Sequence, residues 1–146
     1  MSIFIDAGIF IAYVNEKDKL HAQASGLIDD IIENKHGAAF TSNAVFDEAV
    51  TFLLYKTGDV RNAARVRDFI LGNKEKDMQK FMNLLFVDKE VLDKGWEIFV
   101  KYASKKLSFT DCTTIELMNS RDIEYLASFD GGFDGIVQRL KLRIDS

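Results

Sequence analysis

Short apolar runs alternate with longer amphipathic segments along most of the chain. The runs at residues 2–6, 38–42, 83–88 and 124–130 are typical of strands buried on both faces. Between them, apolar side chains recur every three or four positions, which indicates helices that pack one face against a core. This alternation predicts one α/β domain over residues 1–146, with a central, mainly parallel sheet of about five strands flanked by helices. Residues 140–144 supply the last predicted strand.

Six helices are predicted, over residues 7–14, 20–34, 43–56, 60–71, 89–104 and 108–121. The chain contains no proline, so glycine and asparagine mark the breaks, as at Gly58 and Gly72. Asp88 is suited to cap the helix that follows it, and for Asn43 an N-cap is favoured over a place in a binding groove. In parallel α/β sheets, ligands bind outside the carboxyl ends of the strands, so candidate chemistry is expected at that edge.

Composition and charge narrow the classes of protein. The formal net charge of -4 argues against gripping nucleic acid by bulk positive charge, unless a local basic patch or a bound metal overrides it. Cys112 is the single cysteine, which excludes an intrachain disulfide and favours a reducing, cytoplasmic setting. The apolar N-terminal stretch is interrupted by Asp6 and is too short to span a membrane, so we interpret it as core and expect no membrane association.

Four acidic residues fall where the predicted elements end or begin. Asp6 closes the first strand, and Asp130 closes the strand over residues 124–130. Glu48 lies about two turns into the helix after the second strand, and Asp111 lies in the first turn of its helix. Because the carboxyl ends of parallel strands and the helix starts that follow them share one edge of a sheet, we expect these carboxylates to converge.

Two of the acids have apolar surroundings in the sequence. On a helical projection Asp47 lies on the polar face, whereas its neighbour Glu48 lies at the margin of the apolar face, near Phe52 and Tyr55. Asp6 stands between two apolar runs. An acid in such a place must be paired, protonated or bound to a cation, since burying a free charge is costly.

A divalent metal would explain this group of acids. Crowded carboxylates repel one another, so keeping them ionised requires a compensating charge. Hard oxygen ligands suit Mg²⁺ or Mn²⁺, and the sequence has no cluster of His or Cys that favours zinc. Two such ions about 4 Å apart can bind the attacking and leaving oxygens of a phosphodiester. A bound metal would also reconcile an acidic protein with a polyanionic substrate.

Each acid also has a structural interpretation. Asp111 can complete a capping box begun by Ser108, or favour the helix dipole, and Glu48 can be a plain hydrogen-bond acceptor. Asp130 precedes two glycines, so taken alone it is best interpreted as a turn residue. Asp6 is the hardest of the four to explain structurally. The metal interpretation therefore depends on the coincidence of all four positions.

Three stretches, in order along the chain, resemble the motifs of PIN-domain ribonucleases. "FIDAGIFIA" resembles the opening of that family, where an Asp ends the first strand, and "TSNAVFDEAVTFLL" resembles its second motif, a helix with an essential Glu. "LSFTDCTTIELMNSRDIEYLASFDGGFDGI" resembles the third and fourth motifs and is the most specific part. The resemblance implies a PIN-like fold, and it implies that the catalytic and metal-binding residues are Asp6, Glu48, Asp111 and Asp130.

The resemblance also implies an activity and partners. It implies cleavage of single-stranded RNA with Mg²⁺ or Mn²⁺ as cofactor, with Thr110 and Ser128 at positions of supporting hydroxyls. For both hydroxyls, capping or turn hydrogen bonds are equally open. A chain of this length resembles VapC-type toxins, which implies a homodimer inhibited by a small antitoxin protein. In two departures from the family pattern, Ala7 replaces a frequent Thr or Ser, and Gly131-Gly132 replaces a polar or basic pair.

Two other functions stay open at this point. The first is a catalytically inactive PIN-like module retained for RNA or protein binding, which the presence of all four acids disfavours. The second is an aspartate-based phosphatase in which Asp6 accepts a phosphoryl group. Such phosphatases usually carry a second Asp two residues after the nucleophile, and Gly8 occupies that position here.

Other charged, aromatic and thiol residues are interpreted as structural. Arg61 and Arg65 lie one helical turn apart with Lys56 nearby, and a solvated helix face is favoured for them over contacts with RNA phosphates. Asp134 is interpreted as an acid that begins a helix. The phenylalanines follow core spacing and do not resemble an exposed platform for stacking bases. Cys112 lacks a paired histidine motif, so we assign it no nucleophilic role.

Overall fold

A parallel sheet forms the centre of the molecule. The structure is a computed structural model that describes residues 1–142. In this part of the chain the sheet has four strands, β1 (Ser2–Ile5), β2 (Ala38–Ser42), β3 (Asn83–Leu85) and β4 (Tyr125–Ala127). Their spatial order is β3-β2-β1-β4, and every neighbouring pair is parallel. The predicted α/β class and mainly parallel sheet are therefore confirmed.

Helices connect the strands and cover the sheet. Residues 1–142 contain α1 (Ala7–Val14), α2 (His21–Ile32), α3 (Asn43–Thr57), α4 (Val60–Leu71), α5 (Lys89–Lys101) and α6 (Phe109–Arg121). Short 3₁₀ helices occur at Ala103–Lys105 and Gly131–Phe133. The predicted helices are confirmed to within a few residues, and Asp88 caps α5 as expected. No helix of the described residues is long and apolar enough to cross a membrane.

The predicted fifth strand differs from the structure. Residues 140–142 are not in a strand, and residues 143–144 lie outside the described residues. The chain instead pairs with β4 through an isolated parallel bridge between Leu126 and Arg139. The Leu126 N–H donates to the Gln138 carbonyl at 2.9 Å, and the Leu140 N–H donates to the Leu126 carbonyl at 2.8 Å. An apolar run indicates burial, but the length of edge pairing depends on contacts distant in sequence.

The apolar strands place the core as their pattern predicts. Ile3, Phe4 and Ile5 of the central strand β1 are fully buried, as expected for a strand covered on both faces. The strand ends are tied together at the carboxyl edge, where the Asp6 N–H donates to the Ala127 carbonyl at 3.0 Å. Helices α1 and α3 begin directly after β1 and β2, so their first turns lie along this edge.

The N-cap predicted at Asn43 is wrong by one residue. Ser42 caps α3, and its side chain accepts a hydrogen bond from the Val45 N–H at 3.1 Å. The Asn43 side chain instead accepts from the Val87 N–H at 2.8 Å. Its oxygen therefore joins the start of α3 to the chain that follows β3, a long-range contact that local cap preferences do not predict.

Candidate active site

Asp6 lies at the centre of the carboxyl edge, directly after β1. It is the N-cap of α1, where its Oδ1 accepts from the Ala7 N–H at 2.9 Å. Its Oδ2 accepts from the Ser128 hydroxyl at 2.6 Å, although the two residues are 122 positions apart in sequence. Only 8% of Asp6 is exposed. This carboxylate is therefore held by one local and one long-range hydrogen bond.

Ser128 connects Asp6 with Asp130. It follows β4, is fully buried, and its hydroxyl oxygen also accepts from the Asp130 N–H at 3.0 Å. The Asp130 Oδ1 accepts from the Gly132 N–H at 2.8 Å and so begins the 3₁₀ turn whose last residue, Phe133, is buried in the core. The turn interpretation of Asp130 is confirmed, and the same turn holds this acid beside the end of β4.

Asp111 completes the predicted capping box at the start of α6. The Asp111 N–H donates to the Ser108 hydroxyl oxygen at 3.0 Å, and the Ser108 N–H donates to the Asp111 Oδ2, also at 3.0 Å. Within the described residues the Asp111 Oδ1 makes no hydrogen bond. The cap therefore occupies one carboxylate oxygen and leaves the other available to a ligand.

Glu48 lies on the exposed side of α3. The buried face of this helix is formed by Val45, Ala49 and Leu53, and Glu48 is exposed outside that face. The expectation that Phe52 and Tyr55 surround it with an apolar face is wrong, since these side chains are 46% and 85% exposed. The exposure of Phe52, and of Phe86 at 63%, also departs from the expectation that the phenylalanines follow core spacing.

The electrostatics indicate that these acids lie within reach of one another. Burial raises the pKa of Asp6 to about 6, with further increases from Asp111 and Asp130, against the lowering effect of the Ser128 hydrogen bond. Desolvation by the surrounding protein, followed by repulsion from Asp6 and Asp111, raises the pKa of Glu48 to about 7, even though water reaches its side chain. Desolvation and the charge of Asp130 also raise the pKa of Asp111. The tertiary structure thus couples four acids from separate elements.

The four acids have the donor atoms that a divalent metal ion needs, but their side chains are not arranged around one ion in this conformation. Among residues 1–142, no three His, Cys, Asp or Glu side chains lie close enough together to hold one ion. Caps and turns hold Asp6, Asp111 and Asp130 in their present orientations. The donors are all carboxylate oxygens, which suits Mg²⁺ or Mn²⁺. A shared ion therefore requires side-chain rotation, for which Glu48 and Asp111 have free oxygens within the described residues.

The described residues show no contact of Thr110 that tests its predicted supporting role, and Asp134 is placed differently from its prediction. In the described part of the chain, the Thr110 hydroxyl makes no hydrogen bond with any of the four acids, and its carbonyl accepts from Thr113. Asp134 does not begin a helix; it ends the 3₁₀ turn and pairs with Arg139. Sequence reasoning assigned no part to Arg139, because its partners come from a strand end and a turn that only the fold brings together.

The hydroxyl of Ser128 is expected to lower the pKa of Asp6 and to favour metal binding by this carboxylate. Replacing Ser128 with Ala removes the hydrogen bond that lowers the pKa of Asp6, so that pKa is expected to rise above about 6. Mn²⁺ affinity is expected to fall by about 10- to 100-fold, as for other groups that orient metal ligands. NMR titration of the metal-free protein and calorimetric titration with Mn²⁺ measure the two effects. Thr110→Val is the comparison, and equal losses in both variants would contradict a special role for Ser128.

Comparison with known proteins identifies relatives over nearly the whole chain. The model of the PIN domain family matches residues 3–137. A VapC ribonuclease of Archaeoglobus fulgidus is 28% identical over 134 residues, covering 91% of this chain and 80% of that protein. The 23S rRNA-specific endonuclease VapC20 of Mycobacterium tuberculosis is 26% identical over 133 residues, covering 90% of this chain and 91% of that protein.

Solved structures show the same fold. Mycobacterium tuberculosis VapC20, described as a Sarcin-Ricin loop cleaving toxin, superposes with a TM-score of 0.80 at 23% identity, covering 97% of this chain and 99% of that one. A chain of VapBC2 from Rickettsia felis, bound to a DNA fragment from its promoter, superposes with a TM-score of 0.66 at 10% identity, covering 98% and 100%. With the family match spanning residues 3–137, this chain belongs to the PIN domain family.

Proposed function

We propose that this protein is a VapC-type endoribonuclease that hydrolyses phosphodiester bonds of single-stranded RNA with Mg²⁺ or Mn²⁺. The observation that carries the proposal is the set of four coupled carboxylates at the carboxyl edge of the sheet, two of them with pKa values raised to about 6 and 7. The VapC ribonuclease and the 23S rRNA-specific endonuclease among its relatives support the same activity.

Asp6, Glu48, Asp111 and Asp130 would hold the ion or ions. When bound, a divalent ion neutralises charge on the phosphate and makes a water molecule a better nucleophile. Asp6 is already oriented by its cap and by Ser128, so it is the fixed ligand around which the others adjust. Among the described residues Glu48 can turn toward the ion without breaking a hydrogen bond, and Asp111 would offer its Oδ1 while its Oδ2 keeps the bond from the Ser108 N–H.

Two hydroxyls have supporting roles in this proposal. Ser128 holds the Asp6 carboxylate and the Asp130 backbone with the same oxygen, so it fixes the distance between the two acids. Thr110 lies one residue before Asp111, and its hydroxyl would orient a water molecule or a carboxylate only after turning toward the site. Both roles serve the ligands rather than the reacting phosphate.

The relatives also suggest partners. An antitoxin that covers the acidic site and keeps the nuclease inactive is consistent with the VapBC2 complex among the structural neighbours. We further propose a homodimer and a cytoplasmic location, where RNA is available. RNA is the substrate in this scheme, and the metal lets a chain of net charge -4 accept a polyanion.

Cleavage of a labelled single-stranded RNA tests the proposed function directly. We expect cutting with Mg²⁺ or Mn²⁺, and none when EDTA replaces the metal. Cutting that persists in EDTA would contradict the metal-dependent mechanism. Failure to bind Mn²⁺ at millimolar concentration would favour an inactive binding module. Stable phosphorylation of Asp6 would favour an aspartate-based phosphatase, although both oxygens of this carboxylate already accept hydrogen bonds.

A further inference from the structure

The Arg139 side chain joins both ends of the segment that carries Asp130. Its Nε and Nη2 donate to the two carboxylate oxygens of Asp134, at 2.9 and 3.0 Å. Its Nη1 donates to the Ser128 carbonyl at 3.2 Å. Ser128 is also the residue whose hydroxyl reaches Asp6. A single guanidinium therefore spans residues 128–134, from the strand end to the far side of the turn.

The backbone fixes where this guanidinium lies. The bridge between Leu126 and Arg139 places Arg139 beside the end of β4, with hydrogen bonds on both sides of Leu126. From the other direction, the Lys105 Nζ donates to the Asp134 carbonyl at 2.9 Å. Lys105 belongs to the short 3₁₀ helix that precedes α6. Its hydrogen bond with Asp134 therefore connects the segment before Asp111 with the turn that follows Asp130.

The turn inside this segment has little free space. A Cβ atom added at Gly132 would lie 3.1 Å from the Asp130 Oδ1 and 3.1 Å from the Leu107 side chain. The turn is thus packed against the residue that leads into the Ser108 cap of α6. Moving residues 128–134 would therefore change both the position of Asp130 and its distance from the start of α6.

The Arg139–Asp134 pair is better suited to orientation than to global stability. Asp134 is 58% exposed and Arg139 is 30% exposed, and exposed ion pairs add little to the stability of a fold. A bidentate contact between Arg and a carboxylate does, however, restrict the orientation of both groups. The Nε, Nη1 and Nη2 atoms of Arg139 all donate to protein oxygens. The guanidinium would therefore have to give up hydrogen bonds within the protein in order to bind an RNA phosphate with these atoms.

We propose that Arg139 is a positioning residue for the acidic site, which holds residues 128–134 so that Asp130 stays beside Asp6. The proposal rests on the proposed function, because it assigns Arg139 to the metal-binding acids rather than to RNA. Asp134 serves as its anchor, and the Ser128 carbonyl is the point at which it restrains the strand end.

Hydrogen exchange of the metal-free protein tests the restraint without any activity. In Arg139→Ala, exchange of the Asp130 and Gly132 amides is expected to rise at least about 10-fold, with amides of α2 and α3 unchanged. Asp134→Ala is expected to do the same, and Arg139→Lys to restore part of the protection. Arg61→Ala is the matched control, since the Nε and Nη2 of Arg61 donate to the two carboxylate oxygens of Asp59 at the start of α4.

Metal binding and kinetics separate positioning from direct contact with RNA. Arg139→Ala is expected to weaken Mn²⁺ binding about 10-fold and to lower kcat, with KM for RNA unchanged. The double variant with Asp134→Ala is expected to lose no more than Arg139→Ala alone, because the Asp134 side chain acts through Arg139. Arg61→Ala should match the wild type.

Two results would overturn the proposal. One is unchanged exchange of the Asp130 and Gly132 amides in Arg139→Ala. The other is a raised KM for RNA with unchanged Mn²⁺ affinity, which would make Arg139 a phosphate contact. A wild-type protein that binds no Mn²⁺ and cuts no RNA would instead overturn the proposed function, and the exchange measurement would still decide whether Arg139 restrains the segment.

Discussion

Replacing Asp111 with Asn is expected to reduce RNA cleavage by at least about 100-fold while leaving the protein folded. Asn keeps an oxygen that can accept from the Ser108 N–H, so the capping box can survive the change. The negative charge that an ion would share with Asp6 and Asp130 is lost. Initial rates with labelled RNA at saturating Mn²⁺, together with thermal unfolding, measure the two expectations separately.

Asp88→Asn provides the matched control for this experiment. Asp88 is the N-cap of α5, and its Oδ1 accepts from the Val91 N–H at 3.0 Å, so the substitution removes one carboxylate charge from the first turn of another helix. We expect normal cleavage from this variant. Equal activity in Asp111→Asn and the wild type would assign Asp111 to helix capping alone and would remove it from the proposed metal site.

The metal-free protein is expected to lose stability as the pH rises from 5 to 8. Burial raises the pKa of Asp6 from 3.8 to about 6, so the folded state binds a proton that the unfolded state releases. Stability gained in this way is complete below the unfolded pKa and is lost as the pH rises through the folded pKa. The shift corresponds to about 3 kcal/mol at low pH, of which roughly half remains at pH 5.

Glu48 adds to this loss in the same direction. Its pKa is raised to about 7, but its side chain reaches water, so its contribution is smaller than the shift alone suggests. Asp59, Asp68 and Asp134 have lowered pKa values, and their effects therefore lie below pH 4, outside the window. The free energy of unfolding is thus expected to fall by about 1 to 3 kcal/mol between pH 5 and pH 8.

Urea unfolding in EDTA at the two pH values measures this change. Asp6→Asn is expected to remove much of the pH dependence, whereas Asp88→Asn should retain it. Adding Mn²⁺ is expected to stabilise the protein more at pH 8 than at pH 5, because protons compete with the metal for the carboxylates. Stability that rises with pH in EDTA would contradict the raised pKa of Asp6 and the crowding of the acids.

Much of the fold followed from local patterns. Helix α4 occupies the predicted residues 60–71 because Asp59 and Gly72 mark its two ends within the sequence itself. The four strands described here lie within the predicted apolar runs, although β3 and β4 are three residues long and shorter than the runs at 83–88 and 124–130. The fifth strand and the cap at Asn43 were predicted less well. Edge pairing at Arg139 and the contact between Asn43 and Val87 both depend on distant residues.

The same distinction applies to the acidic site. The capping box of Asp111 was evident in the sequence, since its partners are three residues apart. Helical periodicity predicted a polar place for Asp47 and an apolar margin for Glu48, but both residues are exposed, as is Phe52. Periodicity gives the direction of a side chain and does not identify its neighbours. The capping and ligand interpretations of Asp111 are compatible, since the cap uses one oxygen and leaves the other free within the described residues.

Local patterns in the sequence were sufficient to predict the class of fold, most helix ends and a shared sheet edge for the four acids. These features depend on hydrophobic periodicity, on capping contacts between residues close in sequence, and on the common edge formed by the carboxyl ends of parallel strands. The contacts between these elements became evident in the folded chain: the Ser128 hydroxyl donates to Asp6, 122 residues away, and the guanidinium of Arg139 contacts Ser128 and Asp134. Hydrogen bonds and charge repulsion act over a few ångströms in space, and chain topology, rather than local sequence, sets those distances.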